Sequence, residues 1–174
     1  MRACAIAAAW NFARMVLVLA LTTGSSASVF SAQERLELFS EEVAQELRVE
    51  GDDWDPIPRA RSVSLGPVIA IRNPEITRVD GADTIQTNSP ANMLVVFEPN
   101  QAPVDMSSLD VKAKKGLFSK SLTDKLTPYI DGTTLVVENL EVPPGKFQIE
   151  ILVKDLEGNE TTQTYRLVVE NVTD

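Results

Sequence analysis

The chain has 174 residues, 44% of them hydrophobic, and a formal net charge of −9. Histidine is absent and Cys4 is the single cysteine, so Ser-His and Cys-His nucleophilic triads and imidazole or thiolate zinc sites lack their required groups. The acidic balance repels nucleic acid and anionic lipid headgroups at long range.

Residues 1–27 read as an export signal. Arg2 and Arg14 supply the positive charge, Met15 to Leu21 the apolar core, and Ser25-Ser26-Ala27 the small residues expected at a cleavage site. A membrane anchor is the rival reading. The apolar run falls far short of the roughly 20 residues a spanning helix needs, and Arg14 blocks its extension. Cleavage after Ala27 removes two arginines and no acid, taking the charge from −9 to −11, and Cys4 leaves with the signal. An exported domain without a disulfide relies on its apolar core, which suits a bacterial periplasm or secretion from a bacterial cell.

Residues 28–49 are expected to hold an amphipathic helix, from Gln33 to Val49. Leu36, Phe39, Val43 and Leu47 form one apolar stripe, with Glu34, Glu37, Glu41 and Glu42 elsewhere. Two coverings suit such a stripe: the body of the same domain, or the groove of a protein partner. Residues 50–65 read as a flexible acidic linker, marked by Gly51, Pro56 and Pro58 and carrying Trp54, the one tryptophan left after processing. Asp52, Asp53 and Asp55 lack the spacing of a calcium loop.

From Gly66 the pattern becomes a succession of short strands. Val68 to Arg72 is the first, closed by Asn73-Pro74, and a long polar stretch with Asp80-Gly81 and Ser89-Pro90 follows. Met93 to Phe97 is apolar on both faces, as a central strand should be, and Leu109, Val111 and Ala113 alternate with Asp110, Lys112 and Lys114 in another. Phe118, Leu122 and Leu126 recur at fourfold spacing, which predicts a short helix over 119–127, stopped before Pro128. Leu135 and Val137 mark a further strand. The clearest pattern closes the chain. Phe147, Ile149, Ile151 and Val153 share one face, as do Tyr165, Leu167 and Val169, and Asp155-Leu-Glu-Gly158 fits a type I turn between them. The expected fold is all-β: an antiparallel β-sandwich over residues 66–170, preceded by the amphipathic helix, interrupted by one short helix, and followed by a tail at 171–174.

Pro143-Pro144-Gly145-Lys146-Phe147, the alternating run to Val153, Asp155-Leu-Glu-Gly-Asn159 and the final strand together resemble the closing half of bacterial immunoglobulin-like domains of envelope and surface proteins. In that family the proline-glycine turn enters the penultimate strand and the aspartate-glycine-asparagine turn leads to the last. The resemblance implies an Ig-like sandwich and says little about activity. The antibody pattern differs, because residues 66–170 contain neither a cysteine pair nor a tryptophan.

These features point to an exported, non-catalytic interaction or structural module of the bacterial envelope that binds a protein partner and uses no cofactor or metal. Candidate contact residues are Leu36, Phe39, Val43 and Leu47 on the stripe, Trp54, and Lys112 and Lys114. The two lysines share an outward strand face, suited to an acidic protein or polyanionic glycan, or serving as a solvated surface that discourages edge pairing. A glycan or small-ligand module using Trp54 and Tyr129 is the alternative, and a carboxylate-dependent glycosidase a third reading.

Overall fold

The computed structural model describes residues 35–57 and 64–170; residues 1–34, which hold the proposed signal and the expected start of the helix at Gln33, together with residues 58–63 and the tail, lie outside that range. Two sheets face each other. One contains β1 (Leu36–Glu37), β2 (Val68–Asn73), β5 (Ala91–Glu98), β8 (Ile130–Asp131) and β9 (Thr134–Glu141), in the order β1-β9-β5-β2 with β8 paired to β9. The other contains β3 (Ile76–Val79), β4 (Ala82–Asn88), β6 (Val104–Lys115), β7 (Phe118–Ser121), β10 (Gly145–Asp155) and β11 (Glu160–Glu170), in the order β3-β4-β11-β10-β6-β7.

The strongest sequence pattern builds the longest hairpin. β10 and β11 pair in antiparallel register, with Phe147 opposite Leu167, Ile149 opposite Tyr165 and Val153 opposite Thr161. Period two then sends Phe147, Ile149, Ile151, Val153, Tyr165, Leu167 and Val169 into the core, and all seven are buried. At the turn, Gly158 N–H donates to the Asp155 carbonyl at 3.0 Å. The Asp155 carboxylate accepts from the Glu157 and Asn159 N–H groups at 3.0 and 2.8 Å and from the Asn159 side-chain amide at 2.9 Å. Across the next pairing, β6 contributes Leu109, Val111 and Ala113 to the same layer. A bulge shifts the β6–β10 register between Leu152 and Lys154, and the Ser108 hydroxyl accepts from Lys154 N–H there at 2.7 Å. The opposing sheet supplies Val95 and Phe97 from β5 and Leu135 and Val137 from β9.

The sandwich is as expected, but four local expectations change. The first concerns the helix over 33–49. Leu36 and Glu37 instead pair in parallel with Leu140 and Glu141 of β9, and helix α1 covers only Glu41–Leu47. Ser40, an N-cap residue type followed by two glutamates, sets its start, and the Ala44 N–H bonds the Ser40 carbonyl at 2.8 Å. In the second, the long polar stretch after Pro74 contains a hairpin, β3–β4, turning at Asp80-Gly81. Both turn residues have positive φ, 51° and 78°, which is type I′ geometry and matches the strand twist.

Third, residues 119–127 are not one helix. Phe118–Ser121 is strand, α2 covers Thr123–Leu126, and a 3-10 turn spans Thr127–Tyr129. Edge pairing with β6 satisfies backbone groups of 118–121, while Leu122 and Leu126 alone reach the core. Fourth, the sheets are not wholly antiparallel, because β4 and β11 also run parallel, with Arg166 to Glu170 opposite Thr84 to Asn88.

Candidate functional site

The chain from α1 onward explains how one tip of the sandwich is held. Val49 N–H donates to the Lys146 carbonyl at 2.8 Å, and the Lys146 ammonium donates to the Gly51 carbonyl at 2.6 Å and the Asp52 carboxylate at 2.9 Å. That hydrogen bond and the lysine charge hold the Asp52 carboxyl below the usual carboxylate range. Trp54 lies against Arg166 of β11, with the guanidinium carbon 4.9 Å from the ring centroid. Asp55 then accepts from the backbone N–H of Gly116, in the turn between β6 and β7. Residues 50–57, expected to be a flexible linker, are thus tied across the outer side of the second sheet.

That turn carries Leu117, the most exposed large apolar side chain of the described residues, with Phe118 directly beside it. Lys115 pairs with Phe118, leaving Gly116 and Leu117 as a two-residue loop. Gly116 has φ +57°, the first-position requirement of a type II′ hairpin turn. Leu117 is completely exposed and Phe118 is 68% exposed, whereas Ala113, two residues before Lys115 on the same face, is fully buried. β6 and β7 therefore run past the end of the core. Two large apolar side chains in water forgo roughly 1.5–3 kcal/mol each that burial would contribute. Adjacent exposed apolar residues with a polar surround are the pattern of a contact site.

The lysines around this tip divide into two groups. Lys112 and Lys114 point outward, as expected, but each is engaged within its own sheet: Lys112 by Asp110, and Lys114 by Glu150 at 3.0 Å. The hydrogen bond that the Lys112 ammonium donates to the Asp110 carboxylate raises the Lys112 pKa above its ordinary value. Lys115 and Lys120 share a strand face with Phe118, and neither forms an ion pair with a described residue. They are the cations next to the apolar tip.

The remaining predicted contact residues are placed differently. Phe39 and Leu47 are buried, and Leu36 and Val43 are half-buried against the same core. The Phe39 ring packs edge-on against Phe147, with centroids 4.9 Å apart and planes at 68°. Of the two coverings open to the stripe, its own domain is the one seen for Phe39 and Leu47, with Leu36 and Val43 partly covered by it. Trp54 has one face on Arg166. Leu117 and Phe118 escaped sequence reasoning because Phe118 fits the fourfold spacing with Leu122 and Leu126; the signal that opposes that reading is Gly116, directly after a strand and directly before Leu117.

Asp155, Glu41 and Glu141 are engaged within the fold. Burial pushes the Asp155 carboxyl up, but bonds from the Asn159 side chain and the N–H groups of Asn159, Glu157 and Gly158 outweigh it and leave its pKa below the ordinary value. Glu37, Glu41 and Glu141 border a cleft of about 360 Å³ beside Ser89 and Pro90. Arg35 takes Glu141 at 3.0 Å and Arg48 takes Glu41 at 2.9 Å. Among the described residues, no group of three or more acidic or cysteine side chains is arranged to hold a metal ion, and no helix is long and apolar enough to cross a membrane.

No curated protein matches this chain. A protein-family model matches residues 103–170, the stretch from just before β6 to the end of β11. Solved structures similar to this chain include CopC from Methylosinus trichosporium OB3b, with 15% identity over 53% of this chain and 87% of that one, at a TM-score of 0.32.

Proposed function

We propose that this domain is a non-catalytic interaction module of the bacterial envelope, and that it binds a protein partner through the β6–β7 tip. Leu117 and Phe118 enter an apolar pocket on the partner, and Lys115 and Lys120 meet acidic groups at its rim. The observation that carries this reading is the pair of large apolar side chains held in water on a short turn whose backbone is pinned by Asp55. A pinned turn loses little further freedom on binding, which favours affinity. The export pattern of residues 1–27 supports the address. Absence of histidine and the engagement of Asp155, Glu41 and Glu141 support a role without catalysis.

The test places a photocrosslinking residue at Ser119, beside the tip, and compares the parent protein with the Leu117→Ser, Phe118→Ser double variant in intact cells. A discrete crosslinked protein that disappears in the double variant, with the circular dichroism of the purified domain unchanged, is the expected result. An undiminished product would remove the tip from the binding account. The glycan reading has less support, since Trp54 already stacks on Arg166.

A further inference from the structure

Protein cores are packed as tightly as organic crystals, so a void between two sheets needs a reason. This sandwich holds one, of about 70 Å³, at its centre. Met93, Val95 and Leu135 line it from one sheet and Ile85, Val111 and Ile149 from the other. Its wall is entirely apolar. Tyr165 also borders it, but the tyrosine hydroxyl donates to Gln163 and offers the void nothing polar. Water needs two to four polar partners to occupy such a space, and none is supplied, so the space excludes water.

The wall is not buried equally on all sides. Val95, Val111 and Leu135 are buried, while Ile71, Pro74, Thr87 and Met93, which also border it, are partly exposed. These four residues, in β2, the loop after it, β4 and β5, are the part of the wall nearest solvent. Walls facing an empty space lose the dispersion contacts that a filling molecule would restore.

We propose that this cavity is a binding site for a small, uncharged, apolar molecule of up to about two carbon atoms, since its volume is roughly half that of a cavity that accepts benzene. None of the tip residues Gly116, Leu117 and Phe118 lines this cavity, so the proposal does not rest on the β6–β7 contact site. Selectivity follows from the wall: a hydroxyl carried into the site would lose its water and find no partner. Charge is excluded more strongly for the same reason.

The test uses the mature protein with its valine, leucine and isoleucine methyl groups isotope-labelled, titrated with ethane and, separately, with its isostere methanol. Saturable shifts of the Val95, Val111, Leu135 and Ile149 methyl signals with ethane are expected, with methanol about tenfold weaker or more. Ala91→Leu, which fills the space from β5, is expected to weaken ethane binding about tenfold or more, and Val111→Ile serves the same purpose should the first variant not fold. The absence of saturable shifts in the parent, equal affinity for methanol, or unchanged ethane binding in a folded filled variant would each overturn the assignment. A xenon atom found between the sheets in crystals under xenon pressure would locate the site directly, and xenon found only elsewhere would refute it.

Discussion

β10–β11 and β6–β7 are hairpins of the same sheet, yet they use apolar residues differently. β10–β11 turns on the hydrogen-bonded Asp155 carboxylate, exposes the single apolar side chain of Leu156 there, and keeps Phe147, Ile149, Tyr165 and Leu167 inside. β6–β7 keeps Leu109, Val111 and Ala113 inside but ends in Leu117 and Phe118, which face water. The first arrangement spends hydrophobic surface on folding. The second leaves it for association, because a strand that runs past the core has no opposite layer to cover its end.

The largest effect expected from this contrast is at Phe147. Phe147→Ala removes a fully buried ring packed on Phe39 and is expected to cost about 3–5 kcal/mol in urea denaturation. A loss near zero would mean that β10 does not anchor the core. Next in size is the polar turn. Asp155→Ala leaves the N–H groups of Glu157 and Asn159 without their acceptor, lowering the melting temperature by less than the Phe147 change.

The same carboxylate predicts a pH dependence. Its folded pKa lies below the unfolded value of about 3.9, so its stabilising contribution is present above about pH 4 and is lost as pH falls through the folded value. Asp155→Asn should flatten that acid limb of the stability profile. An identical profile for parent and variant would show that the turn does not depend on the charge.

Smaller still is Gly81→Ala in the β3–β4 turn. A methyl group there meets nothing within 4 Å, so the expected loss of about 1 kcal/mol comes from the φ of +78° alone. The smallest stability effect should be at the exposed tip, where Leu117→Ser with Phe118→Ser is expected to stay within about 0.5 kcal/mol of the parent. A loss as large as that at Phe147 would show that the tip belongs to the core and is not a contact surface.

Legibility in the sequence followed the same division. Strict alternation in β6, β10 and β11 was readable because a half-buried strand in a sandwich must bury every second residue. Asp80-Gly81 was equally strong hairpin chemistry, but β3 is mostly exposed and the buried side of β4 includes Thr84, so the flanks lack an apolar alternation and the stretch read as polar loop. Leu36 and Phe118 were drawn into helical stripes by spacing alone. Pairing decided the backbone instead, with the distant strand β9 for Leu36 and across a two-residue turn with β6 for Phe118. Lys112 and Lys114 were correctly placed on the outward face, but Asp110 and Glu150, which engage them, could be assigned only once the β6–β10 register was known.

By itself the sequence determined the class of fold and which faces of its principal strands turn inward, because side-chain periodicity is a local property of the backbone. Tertiary structure alone decided that the stripe of α1 is covered by its own domain, that residues 50–57 are tied to the sheet, and that Leu117 and Phe118 project from it. Those outcomes depend on contacts between segments far apart in the chain, and on where the opposing layer ends.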